Sequence, residues 1–386
     1  MVARHCNLAA KESVQSRTMR IAGIIAALIA LVSVDGVAQS MPADAPMPST
    51  GIDFTAVDQF WRVVDVLQKD AEPSDAQWQA LLNTPGSRLA QIAIGPVIKE
   101  DLELAFRPSQ RTMFDSLTKL TNDRATRLTH LVRAASMRTQ LNAFRDSLTR
   151  TAPIAAAVTV AARYLPPGAT NTGDPPLVAF AIFRNDGYSL GPGVVVDLLN
   201  AYEADLVLFL AHEFHHTYTG RAQEAALGRA MDYDFKVPDF QLRSAIAALG
   251  NEGIADLVDK PYPLTWPNPV RATYVKRYND EYAKTRETLR QLDSLLQVVA
   301  DDSTQLAPAG QRARTLLWSN SHANGAYVAR TVYEQFGVDS LFPGISNPAA
   351  LLRTYVAAER ARGNPSPFTP KGWGVIEQFE RRYWKR

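Results

Sequence analysis

Ala204-Asp205-Leu206-Val207-Leu208-Phe209-Leu210-Ala211-His212-Glu213-Phe214-His215-His216 is a mostly apolar run without Gly or Pro that ends in a polar pentad. It predicts a buried helix leading directly into H-E-x-x-H. Residues i and i+4 share a helical face, so His212 and His216 can aim two imidazoles at one ion. Glu213, one residue round, can reach a water on that ion and act as general base. Three of the six histidines fall in this pentad, which makes chance a poor account of it. His215, at i+3, could replace His216 as partner of His212. The position of Glu213 favours His216, and His215 then points to one side, behind the ligands or at the surface. Glu213-x-x-His216 is also half of a di-iron pattern, but neither His130 nor His322 has a carboxylate three residues before it to supply the other half.

A catalytic zinc takes three protein ligands and keeps one position open. Leu249-Gly250-Asn251-Glu252-Gly253-Ile254-Ala255-Asp256 offers the third. Glu252 and Asp256 are four apart on one helical face. Glu252 can ligate, and Asp256 can accept the ring N–H of a liganding histidine and fix its tautomer. Glu252 follows His216 by 36 positions (252 − 216), and Gly220 to Pro238 supplies turn-forming residues for a connection between two helices.

H-E-x-x-H followed by Asn-Glu-x-x-x-Asp resembles the gluzincin pattern of thermolysin-like metallopeptidases, with a wider spacing than in familiar members. The resemblance implies a zincin-like core, Glu252 as third zinc ligand and Asp256 as its supporter. Leu210 to His216, Glu252 to Asp256 and Ser321-His322-Ala323-Asn324-Gly325-Ala326-Tyr327-Val328-Ala329-Arg330 also resemble a bacterial family of zinc-dependent proteases, over roughly residues 150–345. His322 opens a helix-like run to Phe336, with Ser321 or Asn320 as candidate N-cap. By the gluzincin resemblance, His322 or Tyr327 would stabilise an oxyanion. Gly325 would let another element approach that helix closely.

Upstream, Leu177 to Phe183 and Gly193 to Leu199 flank Arg184-Asn185-Asp186-Gly187-Tyr188. Two β-rich runs around an Asn-Asp-Gly turn read as a hairpin. In zincins such an edge strand pairs with an extended peptide, and the resemblance carries that expectation here. Elsewhere helical periodicity dominates. Phe54–Lys69 reads as one helix, Ser74 begins another that stops at Pro85-Gly86, and Arg124–Leu148 and Pro269–Val299 read as single long helices. A short helix closes the chain between Gly372 and Trp384.

Residues 1–38 read as a secretory signal, with Met19 as an alternative start: Met19-Arg20, the apolar run Ile21 to Val34, then small residues at Gly36 and Ala38. That run is short for a membrane span. Residues 39–52 form a Pro-rich tether, 53–150 an N-terminal helical region and 151–386 the catalytic region. The single cysteine, Cys6, falls in the leader, so a mature chain would have no Cys nucleophile, thiolate metal ligand or disulfide. Without the leader, basic and acidic residues balance, which gives no electrostatic case for nucleic acid. There is no P-loop.

The sequence therefore predicts an exported, periplasmic or secreted, mainly α protein with a small β-hairpin or sheet. It would hold one Zn2+ on His212, His216 and Glu252. Glu213 and His322 would act on a peptide or protein substrate, with Asp256 and Tyr327 in support, and no membrane span would remain after leader removal. The alternatives are a zinc amidohydrolase of the cell envelope acting on another amide, and a non-catalytic envelope protein with a vestigial metal site.

Overall fold

A computed structural model of the chain describes residues 51–148, 153–171, 173–191, 193–228, 236–266 and 271–385. The expected leader, and the expected tether up to residue 50, lie outside the described residues. The fold is mainly α with one small mixed sheet, as the sequence predicts. Helices α1 (Thr55–Leu67), α2 (Asp75–Leu82), α3 (Pro85–Ile94), α4 (Ile98–Phe106), α5 (Arg111–Leu117), α6 (Asp123–Ser136), α7 (Arg138–Leu148) and α8 (Pro153–Ala161) precede most of the sheet. Then come α9 (Leu198–Glu203), α10 (Leu206–Leu227), α11 (Phe240–Asp259), α12 (Ala272–Ala283), α13 (Thr285–Asp301), α14 (Leu306–Leu316), α15 (His322–Phe336), α16 (Phe342–Ser346), α17 (Pro348–Ala361) and α18 (Pro370–Phe379).

Local sequence explains the boundaries. Ser74 accepts from the Gln77 amide while the Gln77 side chain accepts from the Ser74 amide, a capping box that starts α2. Helix α2 stops at Leu82, just before Pro85 as expected, and Pro85 opens α3 at its first turn, where a missing N–H costs nothing. Two predicted long helices are broken. Met137 leaves helical backbone between α6 and α7. Between α12 and α13, Thr285 Oγ1 bonds back to the Glu281 and Tyr282 carbonyls. Asn324 of α15 donates to the same Glu281 carbonyl, so tertiary packing stabilises that break.

The sheet corrects the hairpin reading. Strands β1 (Ile52–Asp53), β2 (Leu177–Ala181), β3 (Gly187–Leu190) and β4 (Gly193–Asp197) are ordered β1-β2-β4-β3. The two apolar runs, β2 and β4, are parallel partners, with Leu177 opposite Gly193 and Ala181 opposite Asp197. The antiparallel hairpin is β3 with β4, and β3 is the edge. Every residue of β2 and β4 is buried. Unbroken apolar runs, rather than alternating ones, are what two covered faces require, and they are typical of parallel pairs. Helices α1 and α3 pack against β2, and α10 runs along β3. A Cβ on Gly187 would meet the Phe209 ring at 2.6 Å, so glycine there sets how closely β3 approaches α10.

One contiguous apolar core runs from Ala56 on α1 through Val178, Phe214, Leu249 and Val332 to Trp384. Asp197, at the end of β4, caps α9 through the Asn200 amide at 2.9 Å and also holds the Phe183 amide. Asp205 then caps α10 through the Val207 and Leu208 amides. The helix passes through Gly220, where a connection was expected, and ends at left-handed Gly228, φ 63°. Against α10 lies α11, and α11 packs most heavily on α15. That crossing is made by glycines: a Cβ on Gly253 would lie 2.3 Å from the Gly325 backbone, and one on Gly325 would lie 2.6 Å from the Leu249 carbonyl. Backbone thus meets backbone where the two helices cross.

Candidate metal centre

The α11–α15 crossing and the α10–α11 contact bring four side chains to one point. His212 Nε2 and His216 Nε2 of α10 are 3.1 Å apart. Glu252 Oε2 of α11 lies 3.2 Å from His216 Nε2 and 3.7 Å from His212 Nε2. His322 Nε2, at the start of α15, lies 3.5 Å from the same oxygen. The His212, His216 and Glu252 donor atoms fall within 4.8 Å of one another. Ligands about 2.0–2.1 Å from a tetrahedral zinc stand roughly 3.3 Å apart, so these spacings suit such an ion. The donors are two imidazoles, one carboxylate and no thiol.

Carboxylates hold the outer ring nitrogens. His212 Nδ1 donates to Asp259 Oδ1 at 2.9 Å, while Asp256 Oδ1 is farther from it, at 3.5 Å. Asp256 Oδ1 instead lies 2.9 Å from His322 Nδ1. A ring that donates from Nδ1 keeps its Nε2 lone pair for a metal. Asp256 also accepts from the Tyr278 hydroxyl at 3.2 Å and from Lys260 Nζ at 2.6 Å. Lys260 Nζ bridges on to both oxygens of Asp259, at 3.1 and 3.0 Å, and lies 3.4 Å from His212 Nδ1.

Opposite charges hold one another ionised in this buried cluster. Burial alone would raise the Glu252 pKa, but His322, His216 and His212 hold it well below the ordinary carboxylate value. Burial likewise works against an ionised Asp256, and His322 and Lys260 more than offset it. Burial would lower the pKa of Lys260, yet Asp256 and Asp259 hold it well above the usual lysine range. Glu252, Asp256 and Asp259 are thus paired with Lys260 and with the neighbouring imidazoles, as buried charge must be unless it coordinates a metal. For His212, burial and Lys260 pull the pKa down, and Asp259 and Glu252 push it up to about 10. A metal would compete with that proton for Nε2.

Glu213 is 6% exposed on α10. Burial raises its pKa, partly opposed by His212 and His216 and reinforced by Asp186 and Glu252. The remaining candidates are placed as follows. His215 is fully buried rather than at the surface, its Nε2 3.3 Å from the Tyr164 carbonyl. Burial pushes its pKa down to about 3. The Tyr327 hydroxyl donates to Glu359 Oε1 at 3.1 Å, and the ring packs against Tyr282 and Tyr355, so it is not brought to the cluster. Neither Ser321 nor Asn320 caps α15: Ser321 makes no side-chain cap, and the Asn320 amide turns to Glu252 instead.

Sequence reasoning missed Asp259 and Lys260. The signal was present, because 252, 256 and 259 follow i, i+4, i+7 on one face of α11, and Lys260 follows Asp256 by four.

Fold and cluster together define a mainly helical protein with a candidate metal centre built on two histidines and a glutamate. The chain belongs to the family described as "Putative zinc dependent peptidase" (DUF5700), whose model matches residues 78–362 and so takes in every residue of the cluster. No curated protein and no solved structure matches the chain.

Proposed function

We propose that this chain is a zinc-dependent peptidase of gluzincin type. Its metal would rest on His212, His216 and Glu252, and Glu213 would serve as general base. The observation that carries the reading is the convergence of two Nε2 atoms and one carboxylate oxygen at spacings of 3.1, 3.2 and 3.7 Å, beside the buried Glu213. When bound, zinc would supply Lewis-acid polarisation of the scissile carbonyl and acidify a water. Glu213, its proton affinity raised by burial, would take a proton from the attacking water and return it to the leaving amine. His322 is held by Asp256 with Nε2 turned inward, and Asp256 and Glu252 outweigh burial to raise its pKa. As an imidazolium it would donate to the developing oxyanion. Edge strand β3 beside α10 would present its outer edge to an extended peptide.

Two measurements on purified protein test this together: zinc per chain, and hydrolysis of a mixed peptide library before and after chelation and re-addition of zinc. Activity that survives complete metal stripping would overturn the reading. We further propose export from the cytoplasm, on the strength of residues 19–38. N-terminal sequencing of the mature chain should find a start after Ala38, and a mature chain that retains residues 19–38 would contradict the cleavage.

A further inference from the structure

Three consecutive residues before α15 adopt left-handed backbone: Ser319 at φ 51°, Asn320 at φ 53° and Ser321 at φ 73°. None is glycine. A Cβ makes this region unfavourable, Asn tolerates it best among ordinary residues, and runs of such residues are rare. Strain of this kind persists only where the surroundings impose it, and it gathers at functional sites. The serines give the turn no evident purpose: Ser321 caps nothing, and its hydroxyl stands 3.5 Å from the Ala245 carbonyl. Asn320 differs. The turn carries its side-chain amide to Glu252, where Nδ2 donates to Oε1. The other oxygen, Oε2, faces His216, His322 and His212 at 3.2, 3.5 and 3.7 Å. One oxygen of the carboxylate is thus tied to the turn and the other is turned to the imidazoles.

We propose that Asn320 is a positioning residue that holds Glu252 to one metal-facing oxygen and so keeps the open corner of the site clear. This rests on the reading of Glu252 as third ligand. A carboxylate left free would offer both oxygens, and the second would compete for the position that water and a substrate carbonyl need. Partners that orient metal ligands in this way are worth about 10–100-fold in metal affinity.

The test is zinc affinity of the full chain, by competition with a chromogenic chelator at fixed pH, together with the visible spectrum of the cobalt(II) form. Asn320→Gly keeps the left-handed backbone and deletes the amide. Asn320→Asp keeps the backbone preference and replaces the donor with a second carboxylate. Ser319→Gly relaxes the turn without touching Glu252. We expect zinc binding weakened about 10–100-fold by Asn320→Gly and at least as much by Asn320→Asp, with Ser319→Gly within roughly twofold of wild type. Cobalt in Asn320→Gly should show the weaker visible band of a higher coordination number. If wild type binds zinc tightly and Asn320→Gly matches it in affinity and spectrum, with only its melting temperature lowered, Asn320 merely joins two helices and the proposal falls. If wild type itself shows no zinc affinity, the reading of the site falls with it.

Discussion

At Glu213, burial and charge pull in opposite directions. The buried carboxyl gains proton affinity, while His212 and His216 favour its anion. A group so balanced suits taking and returning one proton. Glu213→Gln should retain zinc at the wild-type ratio and lose roughly 10²–10⁴-fold in kcat. Full turnover by a zinc-loaded variant would remove Glu213 from the role of base. Asp259 supports His212 from behind at 2.9 Å, and Asp259→Asn should weaken zinc binding about 10–100-fold while leaving the fold intact. An unchanged dissociation constant would return that support to Asp256, 3.5 Å away. His212 with His216, and Glu252 with Asp256, were readable from spacing, because helical periodicity puts each pair on one face; Glu213 was readable from the H-E-x-x-H pattern rather than from a shared face. Asn320 was not readable, since its reach depends on a left-handed turn that no periodicity encodes. The partner of Asp256 was also hidden: choosing between His212 and His322 requires the angle at which α15 crosses α11.

That crossing works at the scale of elements. Gly253 and Gly325 leave no side chain between the helices, and Glu252 and His322 lie close by on either side of the contact. Gly253→Ala would press a methyl onto the Gly325 backbone, which cannot retreat as a side chain could. Overpacking of a rigid contact costs about 1–3 kcal/mol or more. We predict a clear fall in melting temperature and, because both site residues ride on the displaced helices, a parallel loss of zinc affinity. Thermal melts and chelator competition on the same preparation check this, and a variant as stable and as tight as wild type would show that the helices can part freely. Gly325 was legible as a point of close approach, but its counterpart on α11 was not. Strand pairing was legible in kind and not in direction. The Asn-Asp-Gly turn suggested antiparallel neighbours, yet the unbroken burial of β2 and β4 belongs to a parallel pair, with β3 inserted between them in sequence.

Across the whole molecule, ion pairs tie distant segments together, and Glu380 shows how. It accepts from Asn347, and Arg353 pairs with both its oxygens, joining the chain end to α17 and its N-cap. Burial would raise its pKa, but the hydrogen bonds from Arg353 and Asn347 hold it below the usual glutamate value. A depressed folded pKa means that this stabilisation is complete above the unfolded value and fades as pH falls through the folded one. Glu380→Gln should therefore cost about 1.5–3 kcal/mol at pH 7, and the gap from wild type should close once the pH drops well below 4.5. Denaturant melts at the two pH values measure it, and a gap that persists in acid would mean the loss is one of shape rather than charge. The reach of the core also bears on how the protein can be trimmed. Ile52 and Asp53 form the outermost strand beside β2, and Phe54 stacks on Phe180 at 4.7 Å. The cut proposed after Ala38 would spare this hem, whereas a nick a dozen or so residues further on would unpick the sheet from its border inward. Any tolerance for ragged trimming would therefore end at Ile52, far in sequence from the histidines.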